Sequence, residues 1–408
     1  MFLCTFFLIK VYMKPLRQKL AQYTYPQEMR ALGIYPYFTP ICSPQNTEVY
    51  VTGYDHPVLM FGSNSYLGLT NDPRLKEAAK KAIDKYGTGC AGSPFLNGTL
   101  DIHIQLQDEL AEFLGKDGVM LFSAGFLANS GVIPNVVSRG DYLFYDERVH
   151  ASIMEGKLIT FATTQKYRHN DMADLERVLS KVPVEASKLV VTDGVFSMEG
   201  DVAHVDKMVE ICEKYGATLM VDEAHGLGVF GREGRGTCDH YNMLPNVDLV
   251  MGTFSKSLAS VGGFIAADKD TINWMKHSVR PYIFTASITP ASTASVLEAL
   301  HIMRSEPERN EKLWDNQRYA FKAFKDLGFE IGNTSTPIIP IFIRDNVKTF
   351  TITHDLLENG VFVTPVISPA VPSNETLIRF ALMATHTHQQ IDLGVEKIYK
   401  AFKKQGVL

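Results

Sequence analysis

A chain of 408 residues is long for a single ordinary core, and 45% hydrophobic with 21% charged residues describes an ordinary globular protein. Its net charge of -5 excludes general nucleic-acid binding, which needs a basic face. The five cysteines are scattered, with no CxxC pair, so neither a metal site nor a disulfide framework is expected, and a reducing cytoplasm fits best.

The chain opens MFLCTFFLIKVYMKPLRQKL. The apolar run from Phe2 to Ile9 is too short to span a bilayer and lacks the flanks of a signal peptide. Met13 begins a more ordinary cytoplasmic start, so residues 1–12 are expected to come from an upstream start codon; a native protein retaining Met1 in a mass spectrum would refute this. The lead-in to residue 60 holds two short alternating runs, Glu48 to Val51 and Val58 to Phe61. NDPRLKEAAKKAIDKYG then predicts a helix. Pro73 suits its first turn, Leu75, Ala78, Ala79, Ala82, Ile83 and Tyr86 recur at three and four, and Gly87 is a plausible stop.

Six strand-like runs follow, at 118–125, 141–147, 188–196, 217–225, 247–255 and 262–268, most of them separated by helical patterns such as VDKMVEICEKYG (205–216). Near-continuous apolar strands joined by helices predict an α/β fold with a mainly parallel sheet covered on both faces, in a large domain over 61–300. Beyond residue 300, helices at 308–327 and 349–359 flank the short runs IIPIFI and FVTPVI, which predicts a smaller α+β domain over 301–408.

In such sheets ligands bind beyond the carboxyl ends of the strands. Those ends carry Ser123 and Gly125, then Asp193 and Ser197, then Asp222 and His225, then Thr253, Ser255 and Lys256. Each has a plain structural reading. Lys256 suits a surface position just past a strand, Asp222 a helix N-cap, His150 a structural histidine, and SAGFLANSG an ordinary strand-to-helix turn. Together they suggest pyridoxal phosphate. Lys256 is then a Schiff-base amine, and Asp222 the carboxylate that keeps a pyridine nitrogen protonated. His225 hydrogen-bonds the ring hydroxyl and His150 stacks on the ring. Thr253 and Ser255 offer hydroxyls to the phosphate, as do the backbone N–H groups after Gly125. No GxxxxGK[ST], HExxH, GxSxG or strand-following GxGxxG competes.

The segments FGSNSYLGL, FLNGTLDIHIQLQDELAEFLG, FSAGFLANSG, DERVHASI, DGVFSMEGD, VDEAHGLGVFGREGRG and GTFSKS resemble the α-oxoamine synthase family over roughly residues 45–395. The resemblance implies the fold type I of pyridoxal-phosphate enzymes, and condensation of an amino acid with an acyl-CoA. It implies Lys256 bound to the cofactor aldehyde, His150 on the ring, Asp222 at the pyridine nitrogen and His225 at the hydroxyl. Ser197 and Thr253 contact the cofactor, and the Gly125–Phe126 backbone its phosphate. Thr285 and Ala286 reach the phosphate of a neighbouring subunit, so an obligate homodimer is expected. Arg379 holds the substrate carboxylate, with Asn64 near the same group. GTFSKS and RPYIFTASITPA are most similar to bacterial members that use L-serine and palmitoyl-CoA. Members acting on glycine or alanine with other acyl-CoAs are the nearest alternative. A non-catalytic scaffold subunit is the remote one, against which Lys256, Asp222 and His150 all stand. Pro94 takes the place of an arginine common in the family. ISPAVP (367–372) lacks a second arginine and has Ala370 for the usual threonine, so contacts to the substrates are expected to differ there. A lipid product makes loose membrane association plausible, although no basic amphipathic helix stands out.

Overall fold

The computed structural model describes residues 14–368 and 370–408, so the expectation for residues 1–12 lies outside the described residues. The lead-in carries β1 (Glu48–Val49) and β2 (Val58–Met60). The main sheet is built from β3 (Gly118–Phe122), β4 (Tyr142–Asp146), β5 (Thr163–Tyr167), β6 (Lys188–Asp193), β7 (Thr218–Asp222), β8 (Leu249–Thr253) and β9 (Gly263–Ala267). Its spatial order is β3-β9-β8-β7-β6-β4-β5. β9 runs antiparallel to both neighbours, and the other pairs are parallel.

Strand alternation sorts the apolar residues between two covered faces. Val190, Val221 and Val250 pack in a core with Leu106, Phe113, Leu175 and Met208 from the helices of one side. Val191, Met220 and Met251, each adjacent in sequence to one of those valines, pack with Ala128, Val132 and Ile153 of the other side. Burying such side chains contributes roughly 1.5–3 kcal/mol each, which is why the apolar runs are legible as strands.

One strand of the main sheet was not anticipated. β5, TTQKY, lies at the sheet edge and buries only Tyr167 fully. An edge strand with a wet face needs no apolar run and tolerates Lys166, so periodicity is silent there. The helix expected from residue 73 spans Pro73–Tyr86. Asp72 caps it by accepting the Arg74 N–H at 2.9 Å, a contact worth about 1 kcal/mol, and Gly87 ends it at φ +84°.

The C-terminal region forms a smaller unit of β10 (Ile338–Phe342), β11 (Val361–Phe362), β12 (Thr364–Val366) and β13 (Leu377–Ala381). β10, β13 and β12 make an antiparallel sheet, while β11 pairs with β2, so the lead-in strands join this region. Helices Glu308–Asp326, Asn346–Glu358 and His388–Lys404 flank it. Phe61 stacks on Phe380 at 4.2 Å in its core.

Because their strands are parallel, Asp146, Asp193, Asp222 and Thr253 all reach the same edge of the main sheet, with Asp193 directly opposite Asp222 in register. β13 brings Arg379 from the smaller unit to that edge, where its guanidinium meets the carbonyl of Ser197.

Candidate active site

A cavity of ≈ 290 Å³ opens at these strand ends. Nine of the residues singled out in the sequence line it: Gly125, Phe126, His150, Asp193, Asp222, His225, Thr253, Ser255 and Lys256. Gly125 starts the helix Gly125–Val136, whose preceding residue Ala124 offers no side-chain cap, so the first N–H groups remain for an anion. A Cβ on Gly125 would lie 2.8 Å from Thr253 Oγ1, and one on Gly263 would lie 2.7 Å from the Gly125 Cα. The two glycines therefore let the backbone and the threonine hydroxyl crowd one spot. Thr253 Oγ1 donates to the Gly262 carbonyl at 3.0 Å and sits 3.0 Å from Ser255 Oγ. An uncapped helix start beside two hydroxyls fits a phosphate.

Asp222 is 2% exposed. Its Oδ1 accepts the Ala224 N–H at 2.8 Å and its Oδ2 the Asn129 amide at 2.6 Å. The N-cap reading fails in detail, because the residues after Asp222 form turns rather than a helix. Asn129 also donates to Ser152 Oγ at 2.9 Å, and that hydroxyl sits 2.7 Å from His150 Nδ1. The His150 N–H donates to Asp193 at 2.8 Å. Burial and the Asp222 charge push the Asp193 carboxyl well up. Two carboxylates side by side in a buried site cannot both hold charge cheaply, and the pressure on Asp193 is toward its protonated form.

Lys256 is drawn out of water, which lowers its pKa to about 8; Asp222 and Asp193 oppose the fall and Arg379 adds to it. The cofactor-free enzyme should therefore take up an aldehyde at a rate that rises with pH to ~8 and levels off above it, because only the neutral amine attacks. A rate still climbing at pH 10, read by stopped-flow absorbance with pyridoxal phosphate, would contradict this setting for the lysine.

Arg379 is 5% exposed. Its three hydrogen bonds go to neutral oxygens: the Ser197 carbonyl at 2.9 Å, Asn64 Oδ1 at 2.7 Å and Tyr66 Oη at 3.1 Å. A buried guanidinium held by neutral partners retains charge for an incoming carboxylate. Tyr66 then donates to His225 Nδ1 at 2.6 Å. Burial, followed by the Lys256, Arg379 and His150 charges, holds the His225 pKa well below its usual value. The ring is neutral, and with Nδ1 accepting, its proton sits on Nε2.

Ser197, Thr285, Ala286, Asn64 and Arg379 do not line the cavity itself. Ser197 contributes its carbonyl to Arg379, and Asn64 joins the same guanidinium. Thr285 and Ala286 follow the short helix Arg280–Ile283. Tyr66, Asn129 and Ser152 escaped the sequence reading as site residues. Tyr66 and Asn129 do lie within the quoted segments FGSNSYLGL and FSAGFLANSG, but a buried tyrosine or asparagine carries no spacing signal of its own.

A family model described as aminotransferase class I and II matches residues 56–398. A serine palmitoyltransferase of Bacteroides ovatus is 58% identical over 96% of this chain and 99% of its own length. An 8-amino-7-oxononanoate synthase of Thermoanaerobacter pseudethanolicus is 40% identical over 93% and 95%. The solved structure of a serine palmitoyltransferase from S. paucimobilis, with a bound PLP-myriocin aldimine, is 33% identical and covers 97% of this chain and 100% of that one at a TM-score of 0.93. The chain belongs to the aminotransferase class I and II family and, within it, to the α-oxoamine synthases.

Proposed function

We propose that this protein condenses L-serine with a long-chain acyl-CoA, palmitoyl-CoA by preference, to give 3-ketodihydrosphingosine, CoA and CO₂, the first step of sphingolipid synthesis. The observation that carries the chemistry is one cavity with Lys256 and Asp222 on its wall, and a carboxylate-ready Arg379 joined to it through Tyr66 and His225. The choice of serine rests on the 58% identity to a serine palmitoyltransferase, against 40% to an 8-amino-7-oxononanoate synthase.

The residues fit pyridoxal phosphate. The backbone at Gly125 and Phe126, with Thr253 and Ser255, would hold its phosphate, and Asp222 its pyridine nitrogen. Bound there, the cofactor supplies an aldehyde for the substrate amine and an electron sink for the substrate Cα. Arg379, oriented by Asn64 and the Ser197 carbonyl, binds the serine carboxylate. His225 would offer its Nε2–H to the ring hydroxyl, and His150 would help to hold the ring. Lys256, neutral near pH 8, takes the Cα proton. The Cα electron pair then forms a bond to the thioester carbonyl carbon as CoA leaves. The former serine carboxylate departs as CO₂, and Lys256 returns a proton to Cα.

The assay is CoA release with serine, glycine or alanine against palmitoyl-CoA or acetyl-CoA. Serine with palmitoyl-CoA should lead; a preference for glycine or alanine with the short thioester would move the chain to another member of the family. Arg379→Lys should raise the serine KM about 100-fold, because an ammonium cannot reproduce the guanidinium fork. An unchanged KM would remove the carboxylate from Arg379.

The working unit is a homodimer with Thr285 and Ala286 serving the partner's phosphate site. Phe126 and Val261, exposed on the cavity wall, and Phe284, exposed next to Thr285 in the chain, support this, as do Phe95 and Leu96 on the loop whose Gly92 carbonyl accepts the Ser287 N–H. Four cysteines are free in the described residues, which suits a cytoplasmic enzyme. Among the described residues no helix is long and apolar enough to cross a membrane. Contact with a lipid surface is then peripheral and loose, where the product must leave.

A further inference from the structure

Outside the cavity lies a second, half-buried polar cluster, centred on His169. Its Nδ1 is 3.0 Å from Asp146 Oδ1 and its Nε2 is 3.0 Å from Asp201 Oδ2. A neutral imidazole has one N–H and one lone pair, and a lone pair cannot face a carboxylate. Both nitrogens therefore donate, and the ring is an imidazolium. Burial alone would lower its pKa, yet its hydrogen bonds to Asp146 and Asp201 and their charges carry it up to about 10. Asp146 is 1% exposed, and Asp201 Oδ1 is buried without a hydrogen-bond partner, so the imidazolium is the cation bonded directly to both carboxylates.

The two carboxylates belong to different parts of the site. Asp146 ends β4, four residues before His150, and its Oδ1 also accepts the Arg148 N–H at 2.9 Å. Asp201 lies in a tight loop closed by the Val195–Val202 bridge and by the Phe196 N–H donating to the Asp201 carbonyl at 3.0 Å. That loop carries Ser197, whose carbonyl holds Arg379. Phe196, the neighbour of Ser197, meets the His169 ring edge-on at 4.4 Å. Asn170, at φ +51°, accepts the strain of the turn, and its N–H donates to Asp146 Oδ2 at 2.7 Å. Arg148 adds an outer tie by donating to Glu199 at 2.8 Å.

We propose that His169 is a positioning residue that clamps the His150-bearing end of β4 to the Ser197 loop, so that the group over the cofactor ring and the guanidinium for the substrate carboxylate are held in one fixed relation. It touches neither substrate nor cofactor. The proposal rests on the function given above, and adds to it a residue whose effect passes through His150 and Arg379.

The test uses the cofactor-loaded enzyme and two variants, His169→Gln and Asp201→Asn. Serine binding is read without acyl-CoA, by titrating the cofactor absorbance with L-serine, and turnover by CoA release per cofactor-loaded site. A displaced clamp should raise the serine dissociation constant about tenfold in His169→Gln and a few-fold in Asp201→Asn, with a parallel fall in kcat, since misplacement by ~1 Å costs up to 10²-fold. A purely structural His169 would lower the melting temperature and leave both quantities at the wild-type value in the loaded fraction, which overturns the proposal. If His169→Gln does not fold, Asp201→Asn decides: an unchanged serine constant there overturns it. A wild-type enzyme that releases no CoA from serine and palmitoyl-CoA sinks the functional reading instead, and the proposal with it.

Discussion

Lys256→Ala is expected to release CoA at less than about one-thousandth of the wild-type rate, because it removes both the amine that holds the cofactor and the base that takes the Cα proton. Among the described residues Lys256 is the one lysine lining the cavity, so no lysine beside it stands ready to replace it. The loss should not come from unfolding. Folding lowers the Lys256 pKa from 10.5 to about 8, so the charged form is disfavoured in the folded state. Its contribution opposes folding below pH ~8 and fades as the amine neutralises on the way to pH ~10, where the unfolded lysine would also lose its proton. At pH 7 the cofactor-free alanine variant should melt no lower than the cofactor-free wild type. Turnover within tenfold of wild type, measured as CoA release with excess pyridoxal phosphate, would remove Lys256 from the chemistry.

Asp222→Asn is the second large effect, an expected fall of about 10³-fold in kcat. The carboxylate is buried, and each oxygen is held by an N–H donor from Ala224 or Asn129. Its neighbour Asp193 is pushed toward the protonated form by burial and by the Asp222 charge. An amide keeps the shape and deletes the charge, so it cannot hold a proton on a pyridine nitrogen. It also sets one NH₂ group against the Ala224 N–H or the Asn129 amide, and the network through Ser152 to His150 loosens with it. Cofactor affinity, read by equilibrium dialysis, should fall alongside kcat. Retention of kcat within tenfold would mean that another group protonates the ring.

Residues at strand ends were legible because a parallel sheet makes them so. The apolar runs before Asp193, Asp222 and Thr253 mark buried strands, and parallel strands must present their carboxyl ends on one edge. The edge strand β5 was not legible, since TTQKY has neither apolar run nor alternation. Nor was the Tyr66 link between Arg379 and His225. Its partners lie 313 and 159 residues away, and no local pattern encodes a contact at that separation.

By itself the sequence determined the α/β class, the smaller C-terminal unit, the motif set of the family and the residues at the strand ends, because each is written in local periodicity or in residue type. Only the tertiary structure decided how those groups are tuned. Placing Lys256 out of water lowers its pKa, placing Asp193 opposite Asp222 in a buried site raises the Asp193 pKa, and surrounding Arg379 with neutral oxygens leaves its charge unspent. Burial and through-space charge depend on distances between elements far apart in the chain, and those distances exist only once the sheet has closed around them.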